Sequence, residues 1–368
     1  MYYFDYASTT KPSPKILDLY LKLSNDIFFH PDDTNKSGKL MNEAKNIILS
    51  SLQLNNTYDV VFTSGGTEAN NLAIIGYAHN FTSKKHFITS SYEHSSVYSS
   101  FKYLEKQGHE VTYLKINKDG LVDLEQLEAS LQANTVLVSI MAVNNEIGSI
   151  NNSQQIKMII NNYNSKIVYM SDVVQAVSKV EYDYTNLDIM TISGHKLYAP
   201  KGIGAVVYKK EIILKNTIFG GAQQDGIRPG TICPIASVTL AYALKLEMAN
   251  LKQTISHTTK LVNTFVDFIE NSSKAHLNVT PMGPVVSVNF TTKALSESLI
   301  AVLNNMDIYA STRSACSKKL NVRSRTLQSI GLSNDQIDKS MRFSFSHNTT
   351  VEELNYLIQK LEHVLEIY

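Results

Sequence analysis

Asp59-Val60-Val61-Phe62-Thr63-Ser64-Gly65-Gly66-Thr67-Glu68-Ala69-Asn70-Asn71-Leu72 is the stretch on which the fold reading turns. A short apolar, β-branched run reads as a buried strand, the paired glycines as a break, and Thr67 to about Ala78 as a helix. The alternation recurs downstream, with strands predicted at 85–90, 110–115, 135–141, 166–170, 188–192 and 203–208. Helical patterns at about 94–106, 122–131 and 155–162 separate them. Continuous apolar strands spaced by amphipathic helices predict an α/β fold whose seven-stranded sheet is mainly parallel and covered on both faces.

The pattern changes near residue 234. Pro234 to about Glu270 reads as one long helix or two consecutive ones. Then come an alternating strand at 285–290, a helix at 295–303 and a strand at 341–346. Ser333 with Gln336, and Thr350 with Glu353, have the spacing of capping boxes. We therefore expect a large domain over 14–250 and a smaller α+β domain built from 1–13 and 251–368.

Composition narrows the function classes. The 368 residues hold 34 Lys plus Arg against 33 Asp plus Glu, so no net charge draws the chain to nucleic acid or an anionic membrane. Two cysteines exclude a disulfide framework and a Cys-rich metal site, and no His-Glu-x-x-His spacing occurs, so no metal is expected. The start, MYYFDYASTT, reads as free of a signal peptide, and no apolar run approaches the ~20 residues of a membrane span, so a cytoplasmic location is expected.

In a parallel sheet, ligands bind beyond the carboxyl ends of the strands, so the residues just after each strand are the ones to inspect. Ser64-Gly65-Gly66-Thr67 at a helix start suits an anion such as phosphate, although an ordinary glycine turn looks the same. Neither a Walker loop nor Gly-x-Gly-x-x-Gly is present, which disfavours nucleotide and dehydrogenase functions. Lys196, in Ser193-Gly194-His195-Lys196, would be a desolvated amine with a lowered pKa, suited to Schiff-base chemistry. Asp172, after the strand ending at Met170, needs a cationic or hydrogen-bonding partner, or else caps a helix, and Gln175 would share its site. His94 starts a helix. Cys316 lies in a polar, small-residue stretch with Arg313, Lys318 and Lys319, a setting that raises the thiolate fraction of an exposed thiol. Cys233, before Pro234, reads as a packed thiol. Arg228 sits in a glycine-rich loop, and Arg342 in a strand is either a carboxylate clamp or half of a structural ion pair.

In this order the residues resemble a known family. Thr63–Leu72, Val143-Asn144-Asn145-Glu146-Ile147-Gly148 and Ser193–Gly204 are jointly specific, and the likeness runs from Phe4-Asp5-Tyr6-Ala7-Ser8-Thr9-Thr10 to Thr349–Glu353. The chain resembles the class V aminotransferase group of pyridoxal-phosphate enzymes (fold type I), and within it the NifS/IscS-like cysteine desulfurases. The resemblance implies that Lys196 bonds the cofactor covalently and later exchanges protons with the substrate carbon. It implies that Asp172 pairs with the ring nitrogen, Gln175 with the phenolic oxygen, and that His94 stacks on the ring. Gly66, Thr67, Ser193 and His195 would hold the phosphate, and Thr231 would reach the phosphate of a neighbouring subunit, implying a homodimer. Asn145 and Arg342 would bind the substrate, L-cysteine. Cys316 would take its sulfur as a persulfide, release alanine, and pass the sulfur to an acceptor protein such as an iron–sulfur scaffold or a tRNA-thiolation enzyme.

Some positions depart from the family pattern. Ala142 and Met170 stand where relatives usually carry histidine, His30 replaces asparagine, Arg313 replaces glycine, and Ser346-His347 replaces Gly-Arg. These departures suggest a divergent paralogue with a dedicated acceptor. The alternatives are a selenocysteine lyase, a related aminotransferase, or a cofactor-bearing scaffold with weak turnover.

Overall fold

The structure is a computed structural model, and it describes residues 1–27, 36–312 and 323–368. Its short first strand β1 (Tyr2–Tyr3) is followed by helices α1 (Pro14–Asp26) and α2 (Lys36–Ser51). Neither helix is foreseen by the strand-led reading above. The larger sheet uses β2 (Tyr58–Thr63), β3 (His86–Ser90), β4 (Glu110–Leu114), β5 (Thr135–Ser139), β6 (Val168–Asp172), β7 (Ile189–Ser193) and β8 (Gly204–Lys209). Helices α3 (Gly66–Ala78), α4 (Ser95–Lys106), α5 (Leu124–Ser130) and α6 (Ser153–Asn164) lie between them in the chain. The seven strands stand in the order β2-β8-β7-β6-β5-β3-β4.

Neighbours from β4 to β7 pair in parallel, whereas β8 is antiparallel to both β7 and β2. The exception has a simple cause. A parallel return needs a crossover of about a dozen residues or more, usually helical. The segment from Gly194 to Ile203 is shorter than that, so the chain turns straight back. Lys196 sits inside this turn, at the carboxyl edge of β7.

Both faces of the sheet are apolar because successive side chains point to opposite sides. Val60, Phe62, Ile88, Val138, Tyr169, Met190 and Val207 belong to one core. Val61, Phe87, Leu137, Val168, Met170 and Val206 belong to the other. Helix α2 packs against α7 (Pro234–Ala249), and the second of the two consecutive helices is α8 (Leu251–Glu270).

A smaller sheet is formed by β9 (Ala275–Leu277), β10 (Val285–Phe290) and, late in the chain, β12 (Ser340–Ser344), with β10 in the middle. Its core gathers Phe4, Phe265, Phe290, Phe343 and Phe345 with Leu354 and Leu361 of the C-terminal helix, Val351–Ile367. Helix Ser296–Asn305 and strand β11 (Ile308–Tyr309), which pairs with β1, complete this part. Both capping boxes form.

All six residues of β10 are buried despite its alternating sequence. Its polar members bond inward: Asn289 Nδ2 donates to Gln336 O at 2.6 Å, and Ser287 Oγ accepts from Asn278 Nδ2 at 2.8 Å. Cys233 is exposed rather than packed, because Pro234 begins the helix and leaves the thiol outside its first turn.

Gly204 brings the strand β8 against the turn that starts α3. A Cβ there would come within 2.6 Å of the Gly65 carbonyl carbon and 2.8 Å of Ile192 O. Backbone on both sides cannot yield as a side-chain tip can. Gly204→Ala is therefore expected to destabilise the fold by about 1–3 kcal/mol, the usual range for overpacking. A urea unfolding curve with an unchanged midpoint would contradict this close approach.

Candidate active site

Lys196 is held by the N-terminal segment. Its Nζ donates to the carbonyl oxygens of Ala7 and Ser8. That segment is fixed to the Lys196 turn by Thr10 N donating to His195 O at 2.9 Å and Ser13 N donating to Tyr198 O at 2.8 Å. It is fixed to the smaller sheet by Ala7 N donating to Ser344 Oγ at 2.9 Å and Ser344 N donating to Phe4 O at 2.7 Å. The amine is thus surrounded by protein. Burial lowers its pKa to about 7, helped by the positive charges of Lys179 and Arg342 and opposed by Asp5 and Asp172. A large fraction of Lys196 is consequently neutral at pH 7, and a neutral amine is the nucleophilic form.

Asp172 is the last residue of β6 rather than a residue beyond it. Asn70 Nδ2 donates to its Oδ2 at 2.8 Å, and the Val174 N–H donates to its Oδ1 at 3.0 Å. Asn70 was not singled out from the sequence. Its amide also donates to Ser96 Oγ at 2.9 Å and its oxygen accepts from Thr191 Oγ1 at 2.7 Å. The legible signal was a polar residue among Ala69, Leu72 and Ala73, all buried. His94 is the N-cap of α4: its Nδ1 accepts from Ser96 N and lies 2.7 Å from Ser96 Oγ. With Nδ1 accepting, the neutral ring carries its proton on Nε2. Asp172, Asn70, Ser96 and His94 form one hydrogen-bonded chain.

Asp172, Asn70 and His94 line one cavity at the carboxyl edge of the large sheet. Gly66 and Thr67, at the start of α3, line it together with Ser193, His195, Gln175 and Lys196. Gly66 opens α3, whose first N–H groups have no side-chain cap. A Cβ on Gly66 would stand 3.3 Å from Ser193 Cβ, so glycine keeps this part of the cavity open. His195 is kept uncharged: burial, then Lys196, Lys179 and Lys201, lower its pKa to about 4. Its Nδ1 lies 3.1 Å from Thr9 Oγ1.

Asn145 and Arg342 also line the cavity. Arg342 is buried in β12, and it is an ion-pair partner as well as a cavity residue. Its Nη2 lies 2.6 Å from Asp5 Oδ1 and 2.6 Å from Ser8 Oγ, and its Nη1 donates to Asn145 O at 2.8 Å. Its Nε has no partner. A buried, unsatisfied guanidinium N–H is costly unless something accepts from it, and a carboxylate does so best.

Other candidates lie elsewhere. Thr231 is exposed and does not line the cavity. Arg228 clamps Glu68, with Nε to Oε1 at 2.8 Å. Asn144 is buried and caps its own loop, accepting from Glu146 N and Ile147 N. Met170 and Ala142 are buried, and His347 stacks near Tyr198 at 4.6 Å between ring centroids. Cys316, Arg313 and His30 lie outside the described residues.

The low pKa of Lys196 is testable without any ligand. Competitive acetylation of the protein, read residue by residue by mass spectrometry, should show Lys196 half-reactive near pH 7. A free lysine amine in a short unstructured peptide should instead keep gaining reactivity up to about pH 10.4. Equal midpoints for the two would remove the desolvated amine.

Comparison with known proteins agrees with this geometry. Residues 2–357 match the family model "Aminotransferase class-V". Cysteine desulfurase IscS of Mannheimia succiniciproducens is 34% identical, over 99% of this chain and 92% of its own length. Cysteine desulfurase IscS 1 of Archaeoglobus fulgidus is 34% identical, over 100% of this chain and 97% of its own length. Among solved structures, a NifS-like protein superposes with a TM-score of 0.92 at 27% identity, covering 100% of this chain and 99% of its own. SspA in complex with cysteine gives a TM-score of 0.81 at 29% identity, covering 94% and 99%. With a doubly covered, mainly parallel sheet, a buried lysine at its carboxyl edge and family likeness from end to end, the chain belongs to the class V aminotransferase family.

Proposed function

We propose that the protein is a pyridoxal-phosphate-dependent cysteine desulfurase, which takes sulfur from L-cysteine and leaves alanine and an enzyme-bound persulfide. The observation that carries the reading is the desolvated Lys196 amine sharing a cavity with Asp172 and Arg342. Its likeness to proteins named cysteine desulfurase, and to SspA, whose structure contains cysteine, supports the substrate.

The residues fit the cofactor. Lys196 offers an amine for its carbonyl carbon, Asp172 a carboxylate for its ring nitrogen, and Gln175 an amide N–H for its phenolic oxygen. Gly66, Thr67, Ser193 and His195 offer small side chains, N–H groups and a helix N-terminus to its phosphate. His94 offers a ring for stacking. Once bound, pyridoxal phosphate supplies an electron sink for the bonds of the substrate carbon.

The chain's own residues do the rest. Arg342 binds the substrate carboxylate, and Asn145 orients it beside the guanidinium. Lys196, with a pKa near 7, both takes and returns the proton at the substrate Cα. Cys316 attacks the substrate sulfur: its thiol plus cysteine yields a Cys316 persulfide plus alanine, with no external oxidant or reductant. The protein acts as a homodimer in this reading, with Thr231 reaching the partner subunit's phosphate site. The persulfide passes to an acceptor protein, an iron–sulfur scaffold or a tRNA-thiolation enzyme. Among the described residues no helix is long and apolar enough to cross a membrane, and the proposed location is the cytoplasm.

The decisive assay is alanine formed from L-cysteine by the purified, cofactor-loaded protein. Wild type should form it, Lys196→Ala should lose both the bound cofactor's visible absorption and activity, and Cys316→Ser should keep the colour while losing persulfide. Sulfur release at the wild-type rate by Cys316→Ser would remove the role given to that thiol. Colour without alanine in the wild type would overturn the desulfurase reading.

A further inference from the structure

Beneath the cavity lies a second lysine that the proposed mechanism leaves unused. Lys179 follows Ser178, whose φ of 66° turns the backbone in the left-handed region. Its Nζ donates to Gln175 Oε1 at 3.1 Å and to Val174 O at 3.2 Å. On the other side of the same amide, Gln175 Nε2 donates to Ala7 O at 2.8 Å. Ala7 O is also an acceptor for Lys196.

This arrangement fixes the amide. Its two ends are nearly the same size, so packing alone does not choose between them. Chemistry does. A carbonyl oxygen such as Ala7 O only accepts, so it needs the NH2 end. An amine, charged or neutral, keeps at least two N–H donors, one for each oxygen it faces here. A flipped Gln175 would set NH2 against the Lys179 amine and oxygen against Ala7 O, losing both bonds. We propose that Lys179 is a positioning residue: it holds the Gln175 oxygen away from the cavity, so that the second N–H of the amide faces the ligand. This rests on the pyridoxal-phosphate reading and adds to it a residue outside the cavity lining.

The surroundings agree. Lys179 is half-buried, and its pKa is lowered to about 7 by burial, against the pull of Glu247 and Asp172. Glu247, on α7, is raised to about 7 by its own burial, against the pull of Lys179, and its Oε2 lies 3.5 Å from His347 Nδ1. Lys196 and His195 also feel the Lys179 charge. Lys179 could therefore act on the site by charge alone, and the test must separate the two.

A double-mutant cycle does so. Pyridoxal phosphate affinity is measured for wild type, Lys179→Met, Gln175→Ala and the double variant, with thermal melting as a folding control. Losing one oriented hydrogen bond should weaken binding about tenfold. If Lys179 acts through Gln175, Lys179→Met costs about tenfold in the wild type and little in the Gln175→Ala background. The pH midpoint of the bound cofactor's visible band should move in Lys179→Met and recover in part in Lys179→Arg. Equal losses in both backgrounds would overturn the proposal in favour of a charge or packing effect. If every variant binds like wild type, the proposal also falls. If wild type itself takes up no pyridoxal phosphate, the proposed function fails first, and this inference with it.

Discussion

An amine taken out of water is the constraint on which the site depends. Lys196 is attached to the short turn between β7 and β8, and the N-terminal segment covers its amine through the carbonyls of Ala7 and Ser8. Burial is the largest cause of its lowered pKa, and the charges of Lys179 and Arg342 add to it. The cover is itself held in place from two directions, by the Lys196 turn and by the edge of the smaller sheet at Ser344. The N-terminal segment thus ties the lysine turn to the smaller sheet.

The same segment holds Arg342. Its guanidinium comes from β12, yet its partners Asp5 and Ser8 belong to the N-terminal segment and Asn145 to a loop of the large sheet. Two separate parts of the chain accept three hydrogen bonds from the guanidinium, and its buried Nε is left without a partner. A positive group and a low-pKa amine in one cavity reinforce each other: Arg342 is among the charges that keep Lys196 neutral. On the far side, Asn70 and Ser96 link Asp172 to His94, so the acid and the ring are oriented by a shared chain of hydrogen bonds rather than separately.

Much of this was legible in the sequence. Local signals carry far: the apolar runs marked all seven strands of the large sheet, and the strand ends and the turns after them held Gly66, Asp172, Ser193 and Lys196. The missed features are of another kind. Helices α1 and α2 are polar along much of their length and contribute few buried residues, so their periodicity is weak. Asn70, Lys179 and Asp5 carry no motif of their own. A lysine in Val177-Ser178-Lys179-Val180 looks like any surface lysine until the fold turns it inward. Cys233 was misread because a single cysteine before proline gives no sign of which side of the helix start is covered.

The sequence by itself determined the α/β class, the strand–turn–helix units and the order of motifs that marks the family, because these depend on neighbours within a few residues. Only the tertiary structure decided that β8 runs antiparallel, that residues 5–10 close over Lys196, and that Arg342 pairs with Asp5, 337 residues away in the chain. Burial and charge act through space. The pKa of Lys196 and the orientation of the Gln175 amide depend on groups distant in sequence, and only the packed chain brings them within a few ångströms.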